Sequence, residues 1–442
     1  MDVIAVFSVI AGIVFLGYFS ELIFKKTNIP DVLLLMIVGI LIGTVLQWVE
    51  PESFGFGSEL FTTFALLFLL FVGALSIDFK TLLRSFSRSM LLTVVTFLFS
   101  VAVVAGVSYF LYRDILLSLL TGMILGGTSS AVVIPLLQTI PLKEKKHETI
   151  LMLESALSDV LCIIGTVTIL EIMKTGQIIA SGIFKSVLSS FSLALVVGVI
   201  VGLLWIGLLY KYEILMKSYL LTIAVLIGLY AFVESPFVGG SGAIASLAFG
   251  LVLGNAKTLR LMLQGDNNSS KKDEISRDEE EKEAIHNVLL PSAKNFYSEI
   301  SFFVKTFFFV YLGILIDFSE WNLFAIGFLL TLAIFLVRPF CVRLVFAGEK
   351  LDSMERTFLE ILVPKGLAAA VLAGIAVQSG LLQEYVLGSF VTIILSVVFI
   401  SIVLTSILVF FTGKGWFVGF LPFLHPKDEH TLTKKEIKER TS

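Results

Sequence analysis

Residues 154–160 read Glu154-Ser155-Ala156-Leu157-Ser158-Asp159-Val160, and they sit in the middle of an apolar stretch running from 147 to 173. A stretch of that length crosses about 30 Å of hydrocarbon as a helix. Ionised groups at the centre of a bilayer are costly, so acids found there face a bundle interior or a wet cavity and usually mark function. At about 100° per residue, Glu154 and Asp159 stand roughly 140° apart around the helix and face different surroundings. Ser155 and Asp159, four apart, share a face. Such a face offers a hydroxyl and a carboxylate to a small cation, and the carboxylate can instead carry a proton.

The rest of the chain has the same apolar character. Of its 442 residues, 57% are hydrophobic and 15% charged, whereas soluble domains run roughly half apolar and a quarter charged. Thirteen stretches are long enough to span: 2–23, 30–48, 59–77, 88–112, 114–138, 147–173, 180–210, 217–234, 239–255, 297–317, 322–347, 353–379 and 387–412. The expected fold is an all-α polytopic membrane protein of about 13 transmembrane helices. A net charge of −3 gives no basic field for nucleic acid. Cys162 and Cys341 fall within apolar runs and read as packing residues. The apolar start at Val3 reads as the first membrane helix and not as a removed signal.

Lysines and arginines gather in alternate connections: Lys25 and Lys26, then Lys80, Arg84 and Arg88, then Lys143, Lys145 and Lys146, and again in the tail. The positive-inside rule makes these connections cytoplasmic, which puts the N-terminus outside and the C-terminus inside. Residues 264–286 are crowded with charge and read as a solvated cytoplasmic spacer. The expected organisation is therefore a first membrane half at 1–255, a charged linker at 256–293, a second half at 294–415 and a tail at 416–442.

The halves echo one another. VGALSIDF (Val72 to Phe79) ends the third stretch and LGILIDF (Leu312 to Phe318) ends the tenth, on opposite sides of the membrane by the charge rule. Two stretches after each echo, the helical pattern is interrupted. The fifth carries Gly126-Gly127-Thr128-Ser129-Ser130, and the twelfth Pro364-Lys365-Gly366. Matched interruptions in two inverted halves point to a transporter's binding site. Freed carbonyls and the hydroxyls of Thr128, Ser129 and Ser130 are available to complete an oxygen shell around a cation at Asp159. Glu154 has a different expectation: Arg338, mid-span in the eleventh stretch, cannot shed its charge and needs a counter-ion. Lys365 is placed to offset negative helix ends at the break. Lys305 reads as snorkelling to the interface, and His147, His286, His425 and His430 as solvated loop or tail residues.

GTSS at 127–130, ESALSD at 154–159, VRP at 337–339 and PKGLAAA at 364–370, in this order, resemble the monovalent cation/proton antiporter superfamily, and NhaP-type sodium/proton exchangers in particular. The resemblance covers residues 1–415. It implies a homodimer in which a core bundle moves against a dimerisation bundle. It also implies exchange of Na⁺, with Li⁺ as an alternative, for H⁺ across the cell membrane, serving pH homeostasis by alternating access. The ion site it implies is Asp159 with Ser155 and the Thr128 region, and it pairs Glu154 with Arg338. No cofactor is expected beyond the transported Na⁺ and H⁺, and no enzymatic activity.

Two positions depart from the NhaP pattern. Ser158 stands where asparagine is usual, and Thr128-Ser129-Ser130 replaces Thr-Asp-Pro, as in the branch containing potassium/proton antiporters. One exchanging acid implies an electroneutral one-for-one cycle, with K⁺/H⁺ exchange as the alternative cargo. A cation channel is the reading from another class, and it would pass current without coupled proton movement.

Overall fold

The computed structural model describes residues 3–413 apart from 28–30, 50–54, 76, 78, 138–139, 141, 143, 177–179, 213–218, 236, 257–258, 260–290, 317, 319, 350 and 383. The described residues form helices joined by short irregular connections and contain no strand. In chain order the helices are α1 (Val3–Thr27), α2 (Asp31–Ile40), α3 (Gly55–Leu75), α4 (Phe79–Tyr112), α5 (Ile115–Leu125), α6 (Ser130–Leu137), α7 (Lys145–Thr175), α8 (Ala180–Lys211), α9 (Tyr219–Glu234), α10 (Gly242–Gly254), α11 (Pro291–Ile314), α12 (Trp321–Val345), α13 (Ser353–Ile361), α14 (Leu367–Gln378) and α15 (Glu384–Gly413). The helix α2 continues into a wider π turn at Leu41–Val45, where the Leu46 N–H reaches back to the Leu41 carbonyl.

Among the described residues, seven helical segments are long and apolar enough to cross a membrane, and several shorter apolar helices accompany them. This is a multi-pass membrane protein. A total of thirteen crossings rests on the charge alternation, since the shorter helices do not meet the length criterion alone. The two interruptions fall where glycine and proline place them. The first stretch breaks between α5 and α6, and the second between α13 and α14. Asp114 starts α5, its Oδ1 accepting from the N–H groups of Leu116 (2.8 Å) and Leu117 (3.0 Å). Gly176, at φ 65°, ends α7 in the left-handed conformation that a residue without Cβ adopts freely.

The inverted repeat extends from sequence into packing. Gly250 of α10 lies so close to α3 that a Cβ would stand 2.4 Å from the Phe71 carbonyl, and one on Gly254 would stand 2.4 Å from that of Leu75. At the corresponding seam, between α2 and α11, a Cβ on Gly39 would stand 2.1 Å from the Val310 carbonyl, and one on Gly43 2.9 Å from Ile314 Cα. The residue after each second glycine then bonds the isoleucine that opens the IDF echo. Asn255 Nδ2 donates to the Ile77 carbonyl at 2.7 Å, and Thr44 Oγ1 to the Ile316 carbonyl at 2.6 Å. Asp78 and Asp317 of the echo lie outside the described residues.

Two compact units emerge that differ from the chain-order halves. One comprises Met1–Thr63, Ser85–Ile183 and Lys305–Ser442, the other Phe64–Arg84 and Phe184–Val304. The first contains both broken helices together with α7, α12 and α15. In it Lys305 does not snorkel: its ammonium lies 2.5 Å from a carboxylate oxygen of the buried Asp31. The second unit is built around small-residue and aromatic contacts. Gly198 and Gly202 of α8 press on α10, and Phe71 stacks on Phe249 and meets Tyr297 edge-on. Most of the expected linker and all of the expected tail lie outside the described residues, and α11 opens at Pro291, slightly before the expected second half.

Candidate ion site

A broken helix inside a bilayer leaves backbone N–H and C=O groups that only protein or trapped water can satisfy. Here the two breaks and their neighbours satisfy one another. The Ser129 N–H donates to the Pro364 carbonyl at 2.7 Å, joining break to break. The Thr128 N–H donates to Ser158 Oγ at 2.9 Å. Lys365 turns its ammonium toward the C-terminal end of α5 and donates to the Gly127 carbonyl at 2.7 Å. Its charge therefore meets the negative end of a helix, where a cation is favoured. The Lys365 N–H in turn donates to Ser401 Oγ of α15 at 2.9 Å.

Asp159 projects from α7 into this region and is 6% exposed. Ser130, the first residue of α6, donates its hydroxyl to Asp159 Oδ2 at 2.9 Å. Ser129 Oγ is buried and, among the described residues, has no hydrogen-bond partner. It sits against Gly366, where an added Cβ would stand 2.2 Å from that oxygen. Ser155 shares the face of Asp159, but its hydroxyl donates to the Met152 carbonyl one turn back at 2.9 Å. Ser158 likewise serves the break, since its hydroxyl accepts from Thr128 and lies 3.0 Å from the Ser155 carbonyl. Of the six oxygen-bearing candidates, the geometry thus joins Ser130 directly to Asp159 and leaves Ser129 Oγ without a donor or acceptor. Among the described residues, no cluster of three or more His, Cys, Asp or Glu side chains forms a chelating metal centre.

Glu154 leaves α7 in another direction and meets Arg338 in a two-pronged ion pair. Arg338 Nη2 donates to Glu154 Oε2 at 2.7 Å, and Nη1 donates to Oε1. The guanidinium also donates to Thr96 Oγ1 of α4 at 2.9 Å and, through Nε, to the Leu359 carbonyl of α13 at 2.8 Å. Arg338 is 1% exposed, so its planar fork of donors serves the interior alone and ties four helices together. Thr96 and the Leu359 carbonyl carry no sequence signal, because ordinary helical residues acquire these roles only by packing.

His147 corrects the expectation of a solvated loop residue. It lies in the first turn of α7, is 3% exposed, and places Nδ1 3.3 Å from Glu355 Oε2 of α13. The other oxygen of Glu355 accepts the Glu144 N–H at 2.9 Å. The entrance of the Asp159 helix is therefore fastened to the first half of a broken helix. His286, His425 and His430 lie outside the described residues. Both cysteines are free and buried.

Two facing broken helices, a buried acid beside them and an inverted repeat in the surrounding packing define a membrane transport protein of the discontinuous-helix kind. The chain belongs to the sodium/hydrogen exchanger family: the family model described as "Sodium/hydrogen exchanger, transmembrane" matches residues 10–414. It is 27% identical over 388 residues to the probable Na(+)/H(+) antiporter 2 of Methanocaldococcus jannaschii, covering 82% of this chain and 84% of that one. With Na(+)/H(+) antiporter 1 of the same organism it is 26% identical over 422 residues, covering 87% and 90%. A K(+)/H(+) antiporter, NhaP2 of Shewanella oneidensis, is 31% identical over 249 residues, which span 53% of this chain and 41% of that protein. The fold matches the solved structure of the sodium proton antiporter MjNhaP1 from Methanocaldococcus jannaschii with a TM-score of 0.75 at 22% identity, covering 96% of this chain and 100% of that one.

Proposed function

We propose that the protein exchanges Na⁺ for H⁺ across the cell membrane by alternating access, with Asp159 carrying either ion in turn. The observation that carries this reading is a buried carboxylate bonded to Ser130, the residue next to the orphaned Ser129 hydroxyl, at the meeting of two broken helices. A carboxylate and neutral oxygens suit a hard monovalent cation, and the same carboxylate takes the proton when the cation leaves. Ser130 supplies a hydroxyl that donates to the charged acid and can turn its lone pairs to a cation instead. Ser129 Oγ, Ser155 and the Thr128 region supply further oxygen. Ser158 is retained as a candidate, acting from the back of the break. Lys365 stays on the α5 carbonyls, and Glu154 and Arg338 neutralise each other as a fixed structural pair.

With one exchanging acid the cycle is electroneutral. Alternating access moves the site-bearing helices as a body, in a homodimer with its N-terminus outside and C-terminus in the cytoplasm, serving pH homeostasis.

The cargo is tested by proton flux in proteoliposomes with Na⁺, Li⁺ and K⁺ added in turn. Na⁺ is expected to drive the largest flux, with Li⁺ following. A K⁺ response above that to Na⁺ would overturn the choice of cation in favour of K⁺/H⁺ exchange, a reading supported by the partial likeness to the Shewanella protein. Current through a planar bilayer without coupled proton flux would overturn exchange altogether.

A further inference from the structure

Ser401 lies within α15, a helix that the exchange reaction as described above does not use. It is 1% exposed. Its hydroxyl donates to the Val398 carbonyl three residues earlier, at 3.0 Å, and accepts the Lys365 N–H at 2.9 Å. Ser158 has the same arrangement on α7: Oγ stands 3.0 Å from the Ser155 carbonyl three residues earlier and accepts the Thr128 N–H at 2.9 Å. Each serine belongs to the helix next in the chain after a broken pair, α7 after α5–α6 and α15 after α13–α14, and each accepts a backbone N–H from that break. The inverted repeat therefore includes a pair of hydroxyl caps, one per broken helix.

The two caps act on different parts of the site. Ser158 fixes Thr128, next to the residues that supply hydroxyls. Ser401 fixes the backbone of Lys365, whose ammonium closes the Gly127 carbonyl end of α5. The carbonyl of that same peptide, the Pro364 C=O, accepts the Ser129 N–H. One hydroxyl on α15 thereby sets the register of the Lys365-bearing segment against the hydroxyl-bearing one. Removing that acceptor would leave a buried backbone N–H without its hydrogen bond.

We propose that Ser401 is a positioning residue of the ion site, the repeat counterpart of Ser158, and that it sets cation affinity by holding the Pro364–Lys365 segment against the first break. This rests on the exchange reading above.

The test is Na⁺-driven proton flux in proteoliposomes, with apparent KM and maximal rate measured across pH for the unsubstituted protein and for Ser401→Ala, Ser401→Thr, Ser401→Cys and Ser406→Ala. Ser406 is a buried control whose hydroxyl donates to the Ile402 carbonyl of its own helix. Loss of the acceptor is expected to raise the apparent KM for Na⁺ on the order of tenfold in Ser401→Ala. Its pH profile should shift while the maximal rate per folded molecule changes little. Ser401→Thr should restore both, and Ser406→Ala should match the unsubstituted protein. Cysteine is nearly isosteric but a weak acceptor, so it should show the raised KM even if alanine impairs folding.

A purely structural role would lower folded yield with KM and pH profile unchanged, and that result would overturn the inference. Equal defects in Ser401→Thr and Ser401→Cys would overturn it as well. Absence of exchange in the unsubstituted protein would overturn the underlying reading and this inference together, whereas normal KM in the Ser401 variants of an active exchanger overturns this inference alone.

Discussion

Glu154 and Asp159 show how two acids on one helix take different work. Glu154 is saturated by a guanidinium that is itself bonded to Thr96 and to the Leu359 carbonyl. Removing one partner strands a buried charge, at a cost of about 3–5 kcal/mol. Glu154→Gln is therefore expected to lower the melting temperature in detergent substantially, and Thr96→Ala by much less, since it removes one hydrogen bond. Equal melting temperatures for Glu154→Gln and the unsubstituted protein would remove the structural role. In the proposed exchange, Asp159 carries the pH dependence through competition between Na⁺ and H⁺. Below the titration of this carboxyl, each unit fall in pH leaves about tenfold less of the anion available to Na⁺. The apparent KM for Na⁺ should accordingly rise about tenfold per unit toward acid and level off toward alkaline pH. A KM independent of pH throughout would rule out a shared carboxylate.

At the scale of elements, the two glycine seams bring α2 onto α11 and α10 onto α3, with backbone contact where any Cβ would collide. Gly39→Ala and Gly250→Ala are each expected to destabilise the fold by about 1–3 kcal/mol through overpacking. Gly12→Ala, with open space at its Cβ position, should be nearly neutral in the same melting assay. Indistinguishable melting of all three would show that the seams carry no stability. Gly366→Ala would push on Ser129 Oγ and is expected to impair exchange more than stability.

The breaks themselves are legible in sequence because Gly126-Gly127 and Pro364-Lys365-Gly366 disturb an otherwise apolar helical pattern. Charge alone also suggests that Arg338 needs an intramembrane acid. The seams, the serine caps and the His147–Glu355 contact are not legible in this way. Each depends on which helix lies opposite, and a serine such as Ser401 looks from sequence like any hydroxyl bonded to its own turn. His147 misleads because a polar residue beside a lysine-rich connection ordinarily meets water, while here Glu355 in the first turn of α13 and the Phe346 ring pack against it.

For the molecule as a whole, one carboxylate alternating between Na⁺ and H⁺ moves no net charge per cycle. Arg338 keeps its proton throughout, and Lys365 is engaged with the α5 carbonyls. An imposed membrane voltage should leave the steady-state ratio of ion gradients unchanged, and a clear voltage dependence would require a second titrating group. The central claim is that Asp159 carries both ions, and it is tested most directly by Na⁺-induced proton flux in proteoliposomes containing the Asp159→Asn variant. The account predicts that flux falls to the level of empty liposomes while the variant keeps a folded elution profile in detergent. Retained Na⁺-driven proton flux from Asp159→Asn would contradict it.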